Sequence, residues 1–421
     1  MRWLKSRTRE DAENLFRAYV TDPSSFWSGK MRRQAEKLER QVDALVEQLG
    51  LDPVGVADAV LELAHERQPE PPPSVYVTGL GSSGSHWLAG MLGELPSFVD
   101  VGEVYFSAEL RDRLADYDRE DQQFVADAIQ LLHGLPGASI EVESTVNSAA
   151  GAYELELYKS WDPRAVVVYL YRDPRDQVLS ATFRKDEYRQ YQAPDAEDRE
   201  YLRQMCQRNR ADRERYLELD ARADHEVAYE QLRDDPRPHL ARIAELAGGD
   251  VDEELIDEVA FRHDAENIRA GKVAEKGNLD LGGRASGWRA DADRELRQIL
   301  HIELAEIIVS LGYPLGECLV AADDLREPVR IRADATVPSG SSDVVCAAGA
   351  EWVDDQAARQ LVQREPRVLD LCRTGVTDEI IDDLATAHGL RVAGLVGTAI
   401  SERAVARLRE SRPDLELVSS L

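Results

Sequence analysis

The sequence predicts an α/β protein in which a parallel sheet lies between two layers of helices. Two observations predict this class. Between residue 74 and about residue 314, short apolar strand-like segments alternate with segments of helical periodicity, as in successive βαβ units. One strand, 165–171, is apolar on both faces and therefore suits the centre of a sheet that helices cover on both sides. Right-handed crossovers between such strands give a three-layer parallel sheet.

Residues 1–70 precede this domain and are predicted to be helical. Apolar residues recur at helical spacing in two runs, and Gly50 marks the end of the first. The Pro-rich stretch 68–73 is typical of a stiff linker. The segment is either a cap on the next domain or an appendage that binds a partner. The two runs contain Leu38, Val42, Leu45, Val46 and Leu49, and Val56, Val60, Leu61 and Leu63.

The central domain is predicted to span residues 74–320. Its first strand, 74–78, runs into a Gly/Ser-rich turn, and its last helix shows strong helical periodicity before Gly312. The strands are predicted at 74–78, 139–142, 165–171 and 225–229, and the helices at 84–95, from residue 230, and at 296–311.

A repeat with a period of 24 residues follows a linker at 327–343. The segment 367–371 recurs at 391–395, and a third copy begins at Glu416. A short strand, a turn and a helix in every ~24 residues resemble leucine-rich repeats of the ribonuclease-inhibitor-like class. Residues 340–421 are therefore predicted to form a small leucine-rich-repeat-like tail. It either binds a protein partner or extends the structure without one.

Composition limits the partners. The chain has 51 Lys+Arg against 80 Asp+Glu, a formal charge of −29, whereas nucleic-acid binding needs a dense basic field. No run approaches the ~18 apolar residues of a membrane span, and the N-terminus lacks the apolar core of a secretory signal. The cysteines (Cys206, Cys318, Cys346, Cys372) are far apart and contain no C-x-x-C pair, which favours neither zinc nor disulfides. We expect a cytoplasmic protein without nucleic acid as a partner.

The first loop that could carry chemistry reads VTGLGSSGSHW from Val77 to Trp87. A strand, a Gly/Ser-rich turn and a helix N-terminus present backbone N–H donors to an anion. Gly79 and Gly84 have the spacing of a P-loop, but Ser85 and His86 replace its Lys-Ser/Thr pair. This difference disfavours a nucleotide triphosphatase. A phosphate cradle and a tight structural turn both stay open for this loop taken alone.

The second loop reads RDPRDQVLS from Arg172 to Ser180 and follows the most apolar strand. Ligands of α/β sheets bind at the carboxyl ends of strands, where Arg172 stands. Ser180 follows nearly two helical turns after Pro174. An arginine and a hydroxyl can bind a phosphate, and the charge-assisted bond contributes roughly 1.5–3 kcal/mol. The alternative is an Arg–Asp salt bridge that only stabilises the loop.

Together these elements resemble the sulfotransferase family that uses 3′-phosphoadenosine 5′-phosphosulfate (PAPS). Ser82-Ser83-Gly84-Ser85-His86-Trp87 stands for the family's (K/R)-S-G-T-T-W, which binds the 5′-phosphosulfate. The family's R-(D/N)-P-(K/R)-D-x-x-x-S, which binds the 3′-phosphate, is complete from Arg172 to Ser180. Tyr229-Glu230-Gln231-Leu232 is similar to the segment whose tyrosine meets the adenine, and the segment 282–289, with Gly283 and Arg284, is similar to a late basic loop near the 3′-phosphate.

The resemblance implies transfer of a sulfuryl group from PAPS to an acceptor, leaving PAP, without a metal. An acceptor hydroxyl attacks sulfur in line and a general base removes its proton. Glu103, in the segment after the first helix, is the first candidate base, and His86 is the second. His133 is predicted to be structural. The acceptor is a carbohydrate, a lipid or a small molecule, and its identity is left open because acceptor walls come from variable loops.

One departure from the family pattern concerns charge. Ser82 stands where the family has Lys or Arg, and loss of such a stabiliser commonly costs ~10²–10³ in rate. Arg284, Lys159 and Lys272 are candidates for a substitute cation. Two alternatives to the enzyme therefore stay open. One is a catalytically weak nucleotide-binding protein that acts through its repeat tail, and the other is a kinase-like phosphotransferase.

Overall fold

A computed structural model of the 421-residue chain divides it into two compact units, Met1–Arg172 with Arg215–Gly282, and Asp173–Glu214 with Gly283–Leu421. The structure describes residues 7–27, 32–67, 73–96, 98–135, 144–147, 158–159, 164–183, 189, 193, 196–219, 223–249, 252–264, 267, 288, 292, 294–311, 313, 344–347, 350 and 353–419.

The helices and strands alternate along most of the chain. Two short 3₁₀ helices, Pro23–Phe26 and Asp378–Ile380, accompany them. In chain order the elements are α1 (Arg9–Thr21), α2 (Arg32–Leu49), α3 (Pro53–Glu66), β1 (Val75–Thr78), α4 (Ser85–Leu92), β2 (Phe98–Gly102), α5 (Ala108–Leu114), α6 (Arg119–Gly134), β3 (Ser144–Asn147), β4 (Val166–Tyr171), α7 (Pro174–Phe183), α8 (Asp198–Glu218), β5 (His225–Ala228), α9 (Tyr229–Asp234), α10 (Arg237–Leu246), α11 (Glu253–His263), α12 (Arg294–Ser310), β6 (Val344–Cys346), α13 (Asp355–Val362), β7 (Val368–Asp370), α14 (Ile381–Thr386), β8 (Val392–Gly394), α15 (Glu402–Ser411) and β9 (Glu416–Val418).

The first unit is built on a parallel sheet. Its described strands pair in the order β2-β3-β1-β4-β5, with β1 and β4 at the centre. Successive side chains of a strand point to opposite faces, and both faces of β1 and β4 are buried. Tyr76 and Val167 join a core with α1, α2, α3 and α6, whereas Val77 and Val168 join a core with α4, α10 and α11. The predicted three-layer α/β class is confirmed.

The N-terminal helices belong to the first of these two cores. Thr8 begins α1 with a capping box, in which its backbone N–H donates to Asp11 Oδ2 at 2.9 Å. Helices α1 and α3 pack on each other and on α6. Phe16 and Val60 are fully buried in the same core as Tyr76 of the sheet. The segment therefore covers one face of the sheet, as a cap would.

The second unit contains a smaller parallel sheet with the order β6-β7-β8-β9 among its described strands. Val344 pairs with Val368, Val368 with Val392, and Val392 with Glu416, so equivalent positions are 24 residues apart. The predicted strands and their period are present. The assignment of this tail to the leucine-rich-repeat class stays a prediction.

Both faces of the small sheet are covered. Leu369 and Ala393 pack into a core with α13, α14 and α15. Val368 and Val392 face the other way and share a core with Leu300 of α12 and with residues of α7 and α8. Helix α12 contacts β6, β8 and β9. The face opposite the repeat helices is therefore occupied by the chain itself.

Two strands of the first sheet were absent from the sequence prediction. Strands β2 and β3 were not predicted, because each is short and contains polar residues that weaken the strand pattern. The predicted strand at 139–142, the linker at 327–343 and residues 68–72 of the Pro-rich stretch lie outside the described residues. In the part of the chain that the structure describes, none of the helices combines the length and apolarity needed to cross a membrane.

Candidate functional site

The loop between β1 and α4 depends on two glycines. Gly79 has φ +145°, and a Cβ there would lie 2.2 Å from the carbonyl oxygen of Leu170 at the end of β4. Gly84 has φ +99°, and a Cβ there would lie 2.8 Å from Cδ2 of Tyr229. Both φ values lie in the region that favours glycine. The loop can pack against β4 and Tyr229 only because these two positions lack side chains.

Three side-chain polar atoms of this loop have no hydrogen-bond partner among the described residues. The Ser82 and Ser83 hydroxyls and Nε1 of Trp87 are buried and unpartnered. Ser82 also has φ +73°, an uncommon conformation for a non-glycine residue. Buried polar groups are normally hydrogen-bonded, and an unpartnered one costs about 1–3 kcal/mol. These donors, with the N-terminus of α4, suit the oxygens of a bound phosphate or sulfate group.

Arg172 brings a positive charge to the same loop. It follows β4, its side chain is buried, and Nη1 lies 3.5 Å from the carbonyl oxygen of Ser82. Its guanidinium lies 4.5 Å from the ring centroid of Tyr229, a cation–π contact. The Trp87 and Tyr229 ring centroids are 5.8 Å apart. The structure thus places Ser82, Gly84, Trp87, Arg172 and Tyr229 near one another.

His86 and Glu103 lie close to each other at the start of α4. Nε2 of His86 is 3.4 Å from Oε1 of Glu103, and the two side chains are 57% and 29% exposed. The hydroxyl of Tyr105 donates to the other carboxylate oxygen of Glu103 at 3.0 Å. Nζ of Lys37, from α2, donates to the backbone carbonyl of Glu103 at 3.2 Å. The two candidate bases are therefore neighbours, and the N-terminal segment holds the backbone of one of them.

Sequence analysis did not identify Tyr105 and Lys37 as parts of this cluster. Tyr105 is two residues from Glu103, so a signal was available in the segment VGEVY. Lys37 lies 66 residues before Glu103 and has no local signal that links it to the site.

The part of the second motif from Asp173 to Gln177 makes contacts within the second unit. Arg175 is 1% exposed and forms two hydrogen bonds to the carboxylate of Asp173, at 2.9 and 2.7 Å. Its guanidinium lies 4.1 Å from the ring of Trp288, whose backbone N–H donates to Asp176 at 2.7 Å. Gln177 accepts a hydrogen bond from Asn209 at 2.8 Å. An Arg–Asp salt bridge is thus present in this motif, between Arg175 and Asp173. The backbone hydrogen bond of Trp288 connects it to Asp176 in α7.

The remaining predicted site residues lie in other parts of the chain or outside the described residues. Ser180 lies in α7 and is half-buried. Gly283, Arg284 and Lys272 lie outside the described residues. Lys159 is wrong as a substitute cation, because Nζ donates to Asp224 and to the carbonyl of Ala165, each at 2.6 Å. Ala165 precedes β4, so these contacts are at the amino end of the strand, whereas the loop lies at the carboxyl end.

His133 lies in the last turn of α6. Its Nε2 is buried without a hydrogen-bond partner among the described residues, and its carbonyl accepts a hydrogen bond from Gln41 at 3.2 Å. Burial, with a smaller contribution from the charge of Lys37, lowers the pKa of His133 to about 3. A histidine that stays neutral in a core suits a structural position.

A glycine-dependent loop and a buried arginine lie at the carboxyl ends of adjacent parallel strands, the edge at which α/β domains bind anionic ligands. The family model described as the sulfotransferase domain matches residues 72–291, more than half of the chain. The chain belongs to the sulfotransferase domain family.

Solved structures of sulfotransferases are similar to this chain at low identity. Mouse sulfotransferase SULT7A1 complexed with PAP is 13% identical, with a TM-score of 0.39 over 59% of this chain and 88% of that chain. The sulfotransferase domain from the curacin biosynthetic pathway is 17% identical, with a TM-score of 0.40 over 59% and 100%. Sulfotransferase STF9 from Mycobacterium avium is 14% identical, with a TM-score of 0.37 over 73% and 90%. A comparison with curated proteins found no match.

Proposed function

We propose that this sulfotransferase moves a sulfuryl group from PAPS to an acceptor hydroxyl. The observation that carries the proposal is the meeting of buried, unpartnered loop donors with Arg172 and Tyr229. A charged nucleotide with an aromatic base satisfies all three features at once. Its phosphate oxygens accept hydrogen bonds from the loop, and its negative charge pairs with the guanidinium of Arg172. Its base has the rings of Trp87 and Tyr229 as neighbours.

Each residue near the loop has a proposed role in donor binding. Ser82, Ser83, Gly84 and Ser85 bind the 5′-phosphosulfate through hydroxyl and backbone N–H groups. Trp87 and Tyr229 contact the adenine, and Arg172 supplies the charge for the 3′-phosphate. Ser180, Gly283 and Arg284 stay predictions of the sequence for the same phosphate. Five predicted residues that meet in space support the donor site more strongly than any single motif.

The proposed reaction is an in-line displacement at sulfur. The acceptor oxygen forms a bond to sulfur while the bond from sulfur to the bridging oxygen breaks, and its electron pair stays on the phosphate of PAP. Glu103 takes the proton of the acceptor hydroxyl, and its 29% exposure lets an acceptor reach it. Tyr105 and Lys37 hold its side chain and backbone in place.

The acceptor is proposed by class only. A carbohydrate, a lipid or a small molecule with a hydroxyl group suits the reaction, and a metal is not part of the proposal. A cytoplasmic location and a protein partner for the tail likewise stay predictions. Helix α12 covers one face of the tail sheet, so a partner would have to use another surface of the tail.

Two measurements on the full chain test the proposal. Titration with PAP should raise the melting temperature, because a ligand that binds only the folded state stabilises it. Labelled sulfate should then pass from PAPS to at least one member of a panel of sugar, lipid and phenolic acceptors. Stabilisation without transfer to any acceptor would favour the weak nucleotide-binding alternative. Transfer of phosphate from ATP that requires magnesium would favour the kinase-like alternative.

A further inference from the structure

The donor loop lacks a permanent positive charge. Of residues 79–87, only His86 carries an ionisable side chain. When the bond from sulfur to the bridging oxygen breaks, negative charge grows on that oxygen, and uncharged hydroxyls stabilise it less well than a cation does. Arg172 is held over the ring of Tyr229, where the proposed function assigns it to the 3′-phosphate.

The surroundings of His86 suit a protonated ring. Glu103 lies 3.4 Å from Nε2. A carboxylate at this distance is a counter-charge for an imidazolium. In an imidazolium both nitrogens donate, so while Nε2 faces Glu103 the Nδ1–H can donate to a ligand. The side chain is 57% exposed, so a ligand can reach it.

We infer that His86 is the cation of the donor loop, and that it replaces the charge that Ser82 does not supply. This inference rests on the proposed function. As the acceptor oxygen bonds to sulfur, the proton of the acceptor goes to Glu103. The electron pair of the broken bond stays on the bridging oxygen, which Nδ1–H of His86 stabilises. Glu103 and Tyr105 also act as positioning residues for the imidazole, through the contacts at 3.4 and 3.0 Å.

A rescue experiment separates this role from that of a general base. The H86T variant places at this position the threonine of the related motif, and its turnover should fall roughly 100-fold, the loss typical of a missing charge-stabilising donor. The S82K/H86T variant moves the positive charge to position 82 and should recover most of that loss. Gly81 faces open space, so G81K/H86T offers a second position for the cation if a lysine is strained at Ser82.

Binding provides a readout that does not depend on turnover. PAP carries the 5′-phosphate that leaves in the reaction, so calorimetry should show affinity reduced roughly 10-fold in H86T and restored in S82K/H86T, as for loss of one charge-assisted bond. In the wild-type complex with PAP at pH 7, ring ¹⁵N spectra should show both nitrogens of His86 protonated, with the signals assigned by their absence in H86T.

The controls keep this inference separate from the proposed function. His65 pairs with Glu13 at 2.9 Å outside the loop, and H65T should change neither turnover nor PAP affinity. Recovery of turnover in either double variant supports the inference. Failure of both double variants to recover, with PAP binding intact, would overturn it and assign His86 to proton removal. A wild-type chain that neither binds PAP nor transfers sulfate would instead contradict the proposed function itself.

Discussion

The two parallel sheets differ in how the polar groups at their carboxyl ends are used. After β1, two serine hydroxyls and the indole N–H of Trp87 are buried without partners among the described residues. In the equivalent turns after β7 and β8, a threonine hydroxyl donates a hydrogen bond to a backbone carbonyl of the same turn. Thr374 donates to the carbonyl of Leu371 at 2.6 Å, and Thr398 donates to that of Leu395 at 2.7 Å. The first arrangement suits a ligand, and the second suits a repeated structural unit.

Backbone strain does not distinguish the two sheets. Ser82 in the donor loop has φ +73°, and Arg373 in the tail has φ +59°. Gly397, 24 residues after Arg373, has φ +70°, so the left-handed conformation in the tail is part of its repeat. The two regions differ in whether the neighbouring side-chain hydroxyls have hydrogen-bond partners among the described residues. Unpartnered serine hydroxyls, rather than unusual backbone angles, distinguish the donor loop from the two threonine turns of the tail among the described residues.

The largest expected effect concerns Glu103. We expect Glu103→Gln to lower kcat about 10²–10⁴-fold, because an amide cannot accept the acceptor's proton. The affinity for PAP should fall far less than kcat, because Glu103 influences PAP only through its contact with His86. Steady-state kinetics and calorimetry measure the two quantities. Glu109→Gln is a matched control on the surface, where Glu109 pairs with Arg113, and full activity in Glu103→Gln would exclude Glu103 as the base.

The next effect tests the glycine requirement of the donor loop. Gly79→Ala should lower the free energy of unfolding by about 3 kcal/mol or more, because a Cβ would lie 2.2 Å from the backbone oxygen of Leu170. Gly81→Ala, two residues away, meets no atom within 4 Å and should be close to neutral. Urea denaturation measures both. Equal stability of the two variants would contradict the close packing of this loop on β4.

Arg172→Ala should weaken PAP binding roughly 10–150-fold, the range for loss of a charge-assisted hydrogen bond. Arg237→Ala is the matched control, because Arg237 pairs with Asp235 at 2.7 Å on the surface. Calorimetry with PAP measures both variants. Unchanged affinity in Arg172→Ala would remove this arginine from the donor site and with it the strongest argument that the two sheets have different roles.

His133 tests whether an unpartnered polar group away from the loop affects stability instead of activity. Its pKa is lowered to about 3, so below its unfolded pKa of about 6.5 the unfolded chain binds a proton that the folded chain does not. Stability is therefore lost as pH falls from about 6.5 toward 3, by about 1.4 kcal/mol per pH unit from this group.

We expect His133→Leu to remove this part of the pH dependence while leaving sulfate transfer unchanged. Urea denaturation between pH 7 and pH 5 gives the slopes for the two proteins. His388→Leu, at an exposed position of the tail, serves as the control. Identical slopes for wild type and His133→Leu would show that the core admits a charged His133.

Local sequence was enough to predict half of the site. Gly84 and Arg172 stand in short motifs that directly follow strands, and the parallel order of β1 and β4 brings those loops to one edge. Contacts between residues far apart in the sequence could not be predicted from local motifs. Asp176 and Trp288 are 112 residues apart, and Lys37 reaches Glu103 from a different helix.

Side-chain direction was the other limit. Arg172 and Arg175 lie in the same motif and have the same chemistry, yet Arg172 contacts the donor loop whereas Arg175 pairs with Asp173. Only the three-dimensional backbone decides between them. The repeat tail was easier to predict, because its 24-residue period specifies each strand several times over.

The smallest expected effect concerns the turns of the tail. Thr374→Val keeps the shape of the side chain but removes its hydrogen bond to Leu371, and should lower the free energy of unfolding by about 1 kcal/mol. Thr398→Val removes the equivalent bond one repeat later and should cost a similar amount. Neither variant should change PAP affinity or kcat, because these hydroxyls serve the repeat alone. A loss of sulfate transfer in Thr374→Val would mean that the tail contributes to catalysis. The two sheets would then no longer differ in role, one serving a ligand and the other only the repeat.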